Sequence, residues 1–338
     1  MPDHSCNPAH VSGSLPLSVV VTTFNRCDLL ADTLESLTRQ TLDTREFEVV
    51  IINDGSSDNT REVVEGYSGR LPIRYIYQRN AGLASARNHG IFASQGKILL
   101  FLDDDDIAQP SLLEQHLETH GKYPDIRFAV LGYTELSPAI AGNPLMHFVT
   151  ETGRFMFSYP LLRDADIVDY TYFWGGRTSC KRVFLLQEGV FNPIFRFGCE
   201  DIELGYRLSK HGLRVVYNRK AVSTMIRDID FDGFCQRLIR QGRSNHVFSR
   251  MHPDREIVSW AETHDAEARW DKVSPSYDAI LNSARQLDKL VNMEIAAGFE
   301  IDKLTESLLH RAYFAAFRVC KLKGIIEKLE SDRTTLPQ

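Results

Sequence analysis

The chain has 338 residues, 43% hydrophobic and 25% charged, with a net charge of -6. That composition is ordinary for a soluble globular protein. The acidic balance argues against nucleic acid as a partner held through phosphate contacts. The length exceeds one typical domain, so one large domain plus an extension is expected. Six cysteines, at 6, 27, 180, 199, 235 and 320, are scattered with no paired short spacing. They suggest neither a zinc site nor a disulfide framework, and a reducing cytoplasm fits them. No apolar run reaches the ~18 residues that span a bilayer, which leaves room only for peripheral membrane contact.

Residues 1–14 are polar, with Pro and Gly, and are expected to be a disordered leader. Leu17 to Thr23 is apolar and β-branched, a buried parallel strand. Asp28 can cap a helix through Arg39, with Leu29, Leu30, Leu34 and Leu37 on one face. Phe47 to Asn53 is a second strand, and Asp54-Gly55-Ser56 that follows it is turn chemistry. After a short helix near 59–65, Ile73 to Tyr77 is a third strand. Asn80-Ala81-Gly82 turns into a helix from Ala84 to Ser94.

Ile98 to Leu102 is an apolar run that stops at four adjacent carboxylates, Asp103 to Asp106. Such a run reads as a buried strand. Four neighbouring carboxylates repel one another, and packing has no use for them. A divalent cation with oxygen ligands, Mg²⁺ or Mn²⁺, is the expected occupant. If the chain stays extended, Asp103 and Asp105 share a face and Asp104 points away. An acidic first turn for the helix after Pro110 is the alternative, but one or two Asp would serve for that.

A helix is expected over Ser111 to His120, then a strand over Arg127 to Tyr133. Residues 137–168 are expected to be a long loop or lid. Tyr172 to Trp174 reads as a strand ending in the Gly175-Gly176 turn, and Lys181 to Gln187 as a short helix. Glu200-Asp201 opens a helix that Gly212 ends. Leu213 to Tyr217 is a strand, and Phe231 to Phe248 a helix. Strands alternating with helices predict an α/β fold with a mostly parallel sheet. Beyond 250 the β signal vanishes. Leu304, Leu308, Ala312, Ala315 and Val319 suggest one apolar helical face in a C-terminal extension, 251–338, beside a domain over 15–250. That face calls for a partner surface, either the domain itself or a second copy in a homo-oligomer.

Five blocks together resemble the family 2 glycosyltransferases of GT-A fold. They are VVVTTFNR (19–26), VVIINDGSSDNT (49–60), NAGLASARNHGI (80–91), GKILLFLDDDDI (96–107) and EDIELGYRLSKHGLRVVY (200–217). They follow the family's order and cover residues 17–248. The resemblance implies an inverting transfer of a sugar from a nucleotide-diphosphate donor, a UDP-sugar, to a saccharide or glycoconjugate acceptor, in cell-surface polysaccharide synthesis. It implies that Thr22, Thr23 and Phe24 line the base pocket and that Asp54 accepts a hydrogen bond from the base. Gly82 and the 80–88 segment should approach the nucleotide, with Arg87 a candidate contact. Asp103 and Asp104 should meet the ribose or the metal shell, and Asp105 should ligate the metal with Asp103. Asp201, with Glu200 as its neighbour, should be the catalytic base. Trp174 and Gly175 should face donor sugar and acceptor.

Four of these assignments have a plain structural alternative. Asp54 suits any Asp-Gly turn, Arg87 a solvated helix face, Trp174 the core, and Asp201 a helix cap. The family's metal-binding His has no counterpart: Met225 stands at or near its place, and a thioether is a poor ligand for these cations. Either Asp105 and phosphate oxygens suffice, or a nearby group such as Asp228 substitutes. Gly242 to His246 is a polar helix end suited to phosphate or an anionic acceptor, or to solvent. A sugar nucleotidyltransferase would need a Gly-rich, basic loop where Thr22 to Arg26 stand. A non-catalytic nucleotide-sugar-binding module would not need Asp105 and Asp201. No G-x-G-x-x-G follows the first strand, which disfavours a dehydrogenase.

Overall fold

The computed structural model describes residues 15–153 and 155–335, so the expected leader lies outside the described residues. Strands β1 (Leu17–Thr23), β2 (Phe47–Asn53), β3 (Ile73–Tyr77) and β4 (Ile98–Asp103) lie parallel in the order β3-β2-β1-β4. Helices α1 (Cys27–Leu37), α2 (Thr60–Tyr67) and α3 (Leu83–Ala93) connect them. Successive side chains of a strand point to opposite faces. Val20, Leu99 and Phe101 therefore enter one core, and Val19, Val21, Leu100 and Leu102 the other. Burial on both faces explains why these strands are unbroken apolar runs. Asp28 does not cap α1: the Asp58 carboxylate accepts the Cys27 N–H at 3.0 Å instead.

The other half of the sheet is mixed. β5 (Asp106–Ala108) precedes α4 (Leu112–Lys122) and β6 (Phe128–Leu136). Residues 137–168 are not a featureless loop. They hold α5 (Pro138–Ala141), α6 (Pro144–His147), a π turn at Phe148–Thr152, a 3₁₀ turn at Tyr159–Leu161 and β7 (Ile167–Val168). Tyr170–Tyr172 is a 3₁₀ turn rather than a strand. The strand is β8 (Thr178–Lys181), antiparallel between β4 and β6, and α7 (Arg182–Glu188) follows it. The aromatic run expected to pair as a strand packs as rings instead, with Trp174 against Phe157, Tyr159 and Tyr172.

α8 (Glu200–Ser209) leads to β9 (Arg214–Met225), longer than its apolar start predicts. β9 runs parallel to β6, with an irregularity between Gly132 and Tyr133, and reaches Met225 opposite Asp106 of β5. The C-terminal part is helical: α9 (Phe231–Met251), α10 (Arg255–Trp260), α11 (Ala266–Val273), α12 (Tyr277–Ala296) and α13 (Lys303–Thr335). Asp230 caps α9 by accepting the Gly233 N–H at 2.7 Å.

α13 packs along α9 through a face that only partly matches the expected one. Leu304 and Leu308 are exposed, Val319 is buried as expected, Leu322, Ile325 and Ile326 are buried further along, and the residues turned to α9 are Leu309, Tyr313, Ala316, Phe317 and Cys320. They share one core with Phe148, Phe231 and Phe234. Each large apolar side chain fully buried here, such as Leu309 or Phe317, is worth roughly 1.5–3 kcal/mol. The helices cross at glycines. A Cβ on Gly324 would lie 1.9 Å from the Ile239 carbonyl oxygen, and one on Gly242 2.0 Å from that of Lys321. Gly242 thus serves helix contact, and Arg243 forms a surface ion pair with Glu327 at 2.7 Å. Among the described residues no helix is long and apolar enough to cross a membrane, and the cysteines are free.

Candidate active site

The carboxyl ends of β1, β2 and β4 lie side by side, with Thr22 opposite Asp103 and Thr23 opposite Asn53. A parallel sheet opens its ligand crevice at such ends. Here the crevice is a cleft of about 1120 Å³ lined by Thr22, Thr23, Phe24, Asp54, Gly82 and Arg87. Asp103, Asp104, Asp105, Trp174, Glu200 and Asp201 line it as well. Of the residues to which the resemblance gives a role, only Gly175 is not among its lining residues, and its neighbour Gly176 is; Asp106, Asp228 and Gly242 to His246 also lie outside it.

The four adjacent carboxylates go to three destinations. β4 ends at Asp103, and a turn over Asp104 and Asp105 removes the alternation expected of an extended chain. Asp103 meets Arg87 at 3.3 Å and Arg177 at 3.2 Å. Burial opposes its charge, yet Arg177 and Arg87 hold its carboxyl below the usual range. Asp104 and Asp105 turn to Arg26 together, at 2.8 and 3.4 Å. Burial pushes Asp104 up to about 6. Asp106 leaves the cleft and is fully buried, where it meets Arg177 at 3.3 Å and accepts the Ser223 hydroxyl at 3.0 Å. Burial pushes it up to about 7.

Asp54 is already engaged. Its carboxylate accepts Gln78 Nε2 at 2.7 Å, the Ala81 N–H at 2.8 Å and the Gly82 N–H at 2.9 Å. It holds the 80–82 turn against the sheet, with Gly82 at φ 90°. Arg87 is not a solvated side chain. It is buried, lies over the Phe191 ring and bonds Glu200 Oε1 at 2.8 Å. Burial, then the charge of Asp201, pushes Glu200 up to about 7 against the pull of Arg87.

The turn at 174–176 joins these groups. The Gly175 N–H donates to Asp201 Oδ2 at 3.0 Å, and the Gly176 carbonyl accepts the Asp103 N–H at 3.2 Å. A Cβ on Gly175 would meet Arg87 Nη1 at 2.3 Å, and one on Gly176 would meet Asp103 Oδ2 at 1.9 Å. Only a residue without a side chain permits that approach. Asp201 is not the cap of α8; Cys199 occupies that position with φ 64°. The Asp201 carboxylate instead faces the cleft beside Gly175. Trp174 is half-buried, and its indole N–H is committed to the Thr171 carbonyl at 2.8 Å. It offers the cleft a ring face rather than a donor.

Arginines are the part the role assignments miss, although Arg26 lies inside the first matching block. Arg26, Arg177, Arg227, Arg237 and Arg240 all line the cleft. Arg227 reaches Asp105 at 3.7 Å. Arg237 and Arg240 have no carboxylate partner at ion-pair distance among the described residues, and both lie over the Phe197 ring. Burial and the neighbouring Arg227 lower the affinity of both for their protons. Mutually repelling cations in a cleft mark a place prepared for an anion. Their three-residue spacing on α9 is the one sequence signal that could have found them.

A divalent cation fits this set in part. Asp103 and Asp105 feel each other's charge, and Asp105 is raised by burial and by Asp103. The contacts of Asp105 to Arg26 and Arg227 are longer than tight charge-assisted bonds of about 2.7–2.9 Å, so it remains available as a ligand. Among the described residues no group of three or more His, Cys, Asp or Glu surrounds a metal position. Met225 is buried in β9, and Asp228 is tied to Asn143 at 2.9 Å. The protein thus offers two carboxylates, and phosphate oxygens and water would complete a shell.

Residues 18–178 match the family model for glycosyl transferase family 2. The chain is 33% identical over 231 residues to validoxylamine A glucosyltransferase of Streptomyces hygroscopicus subsp. jinggangensis, covering 61% of this chain and 54% of that protein. It is 27% identical over 223 residues to chondroitin synthase of Escherichia coli, covering 58% and 32%. The chain therefore spans about half the length, or less, of these curated relatives. The mannosyltransferase PcManGT from Pyrobaculum calidifontis, in complex with GDP-Man and Mn²⁺, superposes with a TM-score of 0.60 at 17% identity, covering 95% of this chain and 88% of that one. TarS 1-349 of S. aureus in complex with UDP superposes at 0.55 with 17% identity, covering 95% and 92%. These two likenesses show the fold.

Proposed function

We propose that this chain, which belongs to glycosyl transferase family 2 and has its GT-A fold, transfers a sugar with inversion from a UDP-sugar to a hydroxyl of a saccharide or glycoconjugate. The observation that carries this reading is one cleft holding Asp201, the acids Asp103 to Asp105, and Arg237 and Arg240, which have no carboxylate partner at ion-pair distance among the described residues. An acceptor hydroxyl is a poor nucleophile until a carboxylate takes its proton. Asp201 is that base, oriented by the Gly175 N–H. The hydroxyl oxygen attacks the anomeric carbon, and the bond from that carbon to the diphosphate breaks. The electron pair leaves with the diphosphate, whose growing charge is met by Arg227, Arg237 and Arg240. Asp105 with Asp103 would hold Mn²⁺ or Mg²⁺, which supplies Lewis-acid charge at the leaving group when bound. Thr22, Thr23 and Phe24 take the base, and Asp54 acts by fixing the loop against which the nucleotide lies.

A thermal-shift panel of UDP, GDP and their sugars, with and without Mn²⁺, tests the reading, because a ligand of the folded state raises the melting temperature. A rise with UDP-sugars and release of UDP on adding acceptors are expected. Binding without UDP release from any acceptor would favour a non-catalytic nucleotide-sugar-binding module. No rise with any nucleotide would remove the proposal.

A further inference from the structure

Five residues of the cleft come from beyond α9, far outside residues 18–178 that match the family. They are Trp260 and Glu262 at the end of α10 and Phe314, Arg318 and Lys321 on α13. The three on α13 are spaced i, i+4 and i+7, so they share one helix face. The neighbouring face carries Tyr313 and Phe317 into the core against α9. Lys321 lies 3.6 Å from the Glu262 carboxylate. Its charge also acts on the buried thiol of Cys199, the residue before Glu200-Asp201. α13 thus lines the same cleft as Asp201.

This end is built from an apolar platform and charges. Phe314 is 46% exposed and packs edge-on against Phe155 at 5.8 Å. The Arg318 guanidinium lies 5.5 Å over the Phe314 ring and has no carboxylate partner at ion-pair distance among the described residues. Glu262 sits at φ 55°, in the left-handed region that non-glycine residues rarely adopt. The Arg269 guanidinium donates to its carbonyl and holds it there. Such backbone persists only where its surroundings over-determine it, and it concentrates at ligand sites. Trp260 and Phe314 line the same cleft as the Glu262 carboxylate, and aromatic surface with a carboxylate suits a sugar, whose C–H side packs and whose hydroxyls donate. Arg318 and Lys321 against Glu262 alone leave one positive charge unmatched.

We propose that this face of α13, with Trp260 and Glu262, is the acceptor subsite, and that the acceptor is a saccharide bearing an anionic group, a carboxylate or a phosphate. The proposal rests on the glycosyltransferase reading above. It places acceptor choice in the C-terminal helices rather than in the matched segment.

The test uses the full chain saturated with UDP and ligand-observed NMR titrations of glucose, glucuronate and glucose 6-phosphate. One of the two charged sugars is expected to bind about tenfold tighter than glucose, the size of one good charged contact. Which of the two is preferred identifies the carboxylate or the phosphate. Arg318→Ala should abolish the preference with UDP affinity and melting temperature unchanged. Equal binding of all three sugars, no binding of any, or a preference that survives Arg318→Ala would overturn the assignment. Loss of UDP affinity in Arg318→Ala would also overturn it, by moving Arg318 to the donor side. A wild-type chain that binds neither UDP nor GDP would instead remove the underlying reading.

Discussion

Arg87 and Glu200 form a buried ion pair, Nη1 to Oε1 at 2.8 Å, between residues 113 apart in sequence. The same guanidinium reaches Asp103 at 3.3 Å. One side chain of α3 therefore ties the end of β4 to the start of α8. Removing one partner of such a pair leaves an uncompensated buried charge, at a cost of about 3–5 kcal/mol. Arg87→Ala should lose stability of that order in urea titrations. Arg87→Lys should recover only part, since an ammonium cannot fork between two carboxylates. A loss below ~1 kcal/mol would show that the pair behaves as a solvated one.

Asp201→Asn separates catalysis from structure. Asn can still accept the Gly175 N–H but cannot take a proton. Turnover should fall by ~10²–10⁴, with UDP affinity and melting temperature unchanged. If turnover holds, Glu200 is next in line, and Glu200→Gln becomes the decisive enzyme assay.

Asp105→Ala and Arg240→Ala probe the leaving-group side. Asp105→Ala should remove any Mn²⁺ enhancement of UDP binding measured by calorimetry. Arg240→Ala should weaken UDP about tenfold, as loss of one charge-assisted contact does, and should flatten the salt dependence of binding. Metal-enhanced affinity that persists in Asp105→Ala would reject its role as a ligand.

His116 and His120 predict an acid limit to stability. Both imidazoles bond Ser179 Oγ, at 2.8 and 2.9 Å, inside the core. Burial pushes His116 down to about 3, and His120 is lowered by burial too. In the unfolded chain each takes a proton below about 6.5. The folded state then binds fewer protons, so the stability these groups contribute above pH 6.5 is lost as pH falls toward 3. Each contributes a slope of about 1.4 kcal/mol per pH unit. Urea titrations across that window should show a shallower loss in His116→Gln than in wild type. Equal slopes would show that His116 charges without unfolding.

The bounds of β1, β2 and β3 were readable residue by residue, because each is a short apolar run closed by turn residues. The acidic cluster and Asp201 were readable as members of a motif. β8 was not, since Thr178–Lys181 has no apolar alternation and owes its strand geometry to pairing with β4 and β6. Such pairing is set by distant partners, not by local preference. Arg237 and Arg240 were hidden for a related reason. An arginine on a helix is usually solvated, and only the fold sets these two against the cleft, where Arg237 is half-buried and Arg240 stays exposed at its edge.

Gly242 and Gly324 also set a rule for recombining this chain with its relatives. A chimera that imports another protein's final helix must bring a glycine level with Ile239, since even a methyl group would overlap that carbonyl oxygen. Point changes at Phe314 or Arg318 ask nothing of the helix backbone, but a whole-helix exchange does. Libraries that shuffle C-terminal segments should therefore yield folded members only where this glycine pair is inherited as a unit.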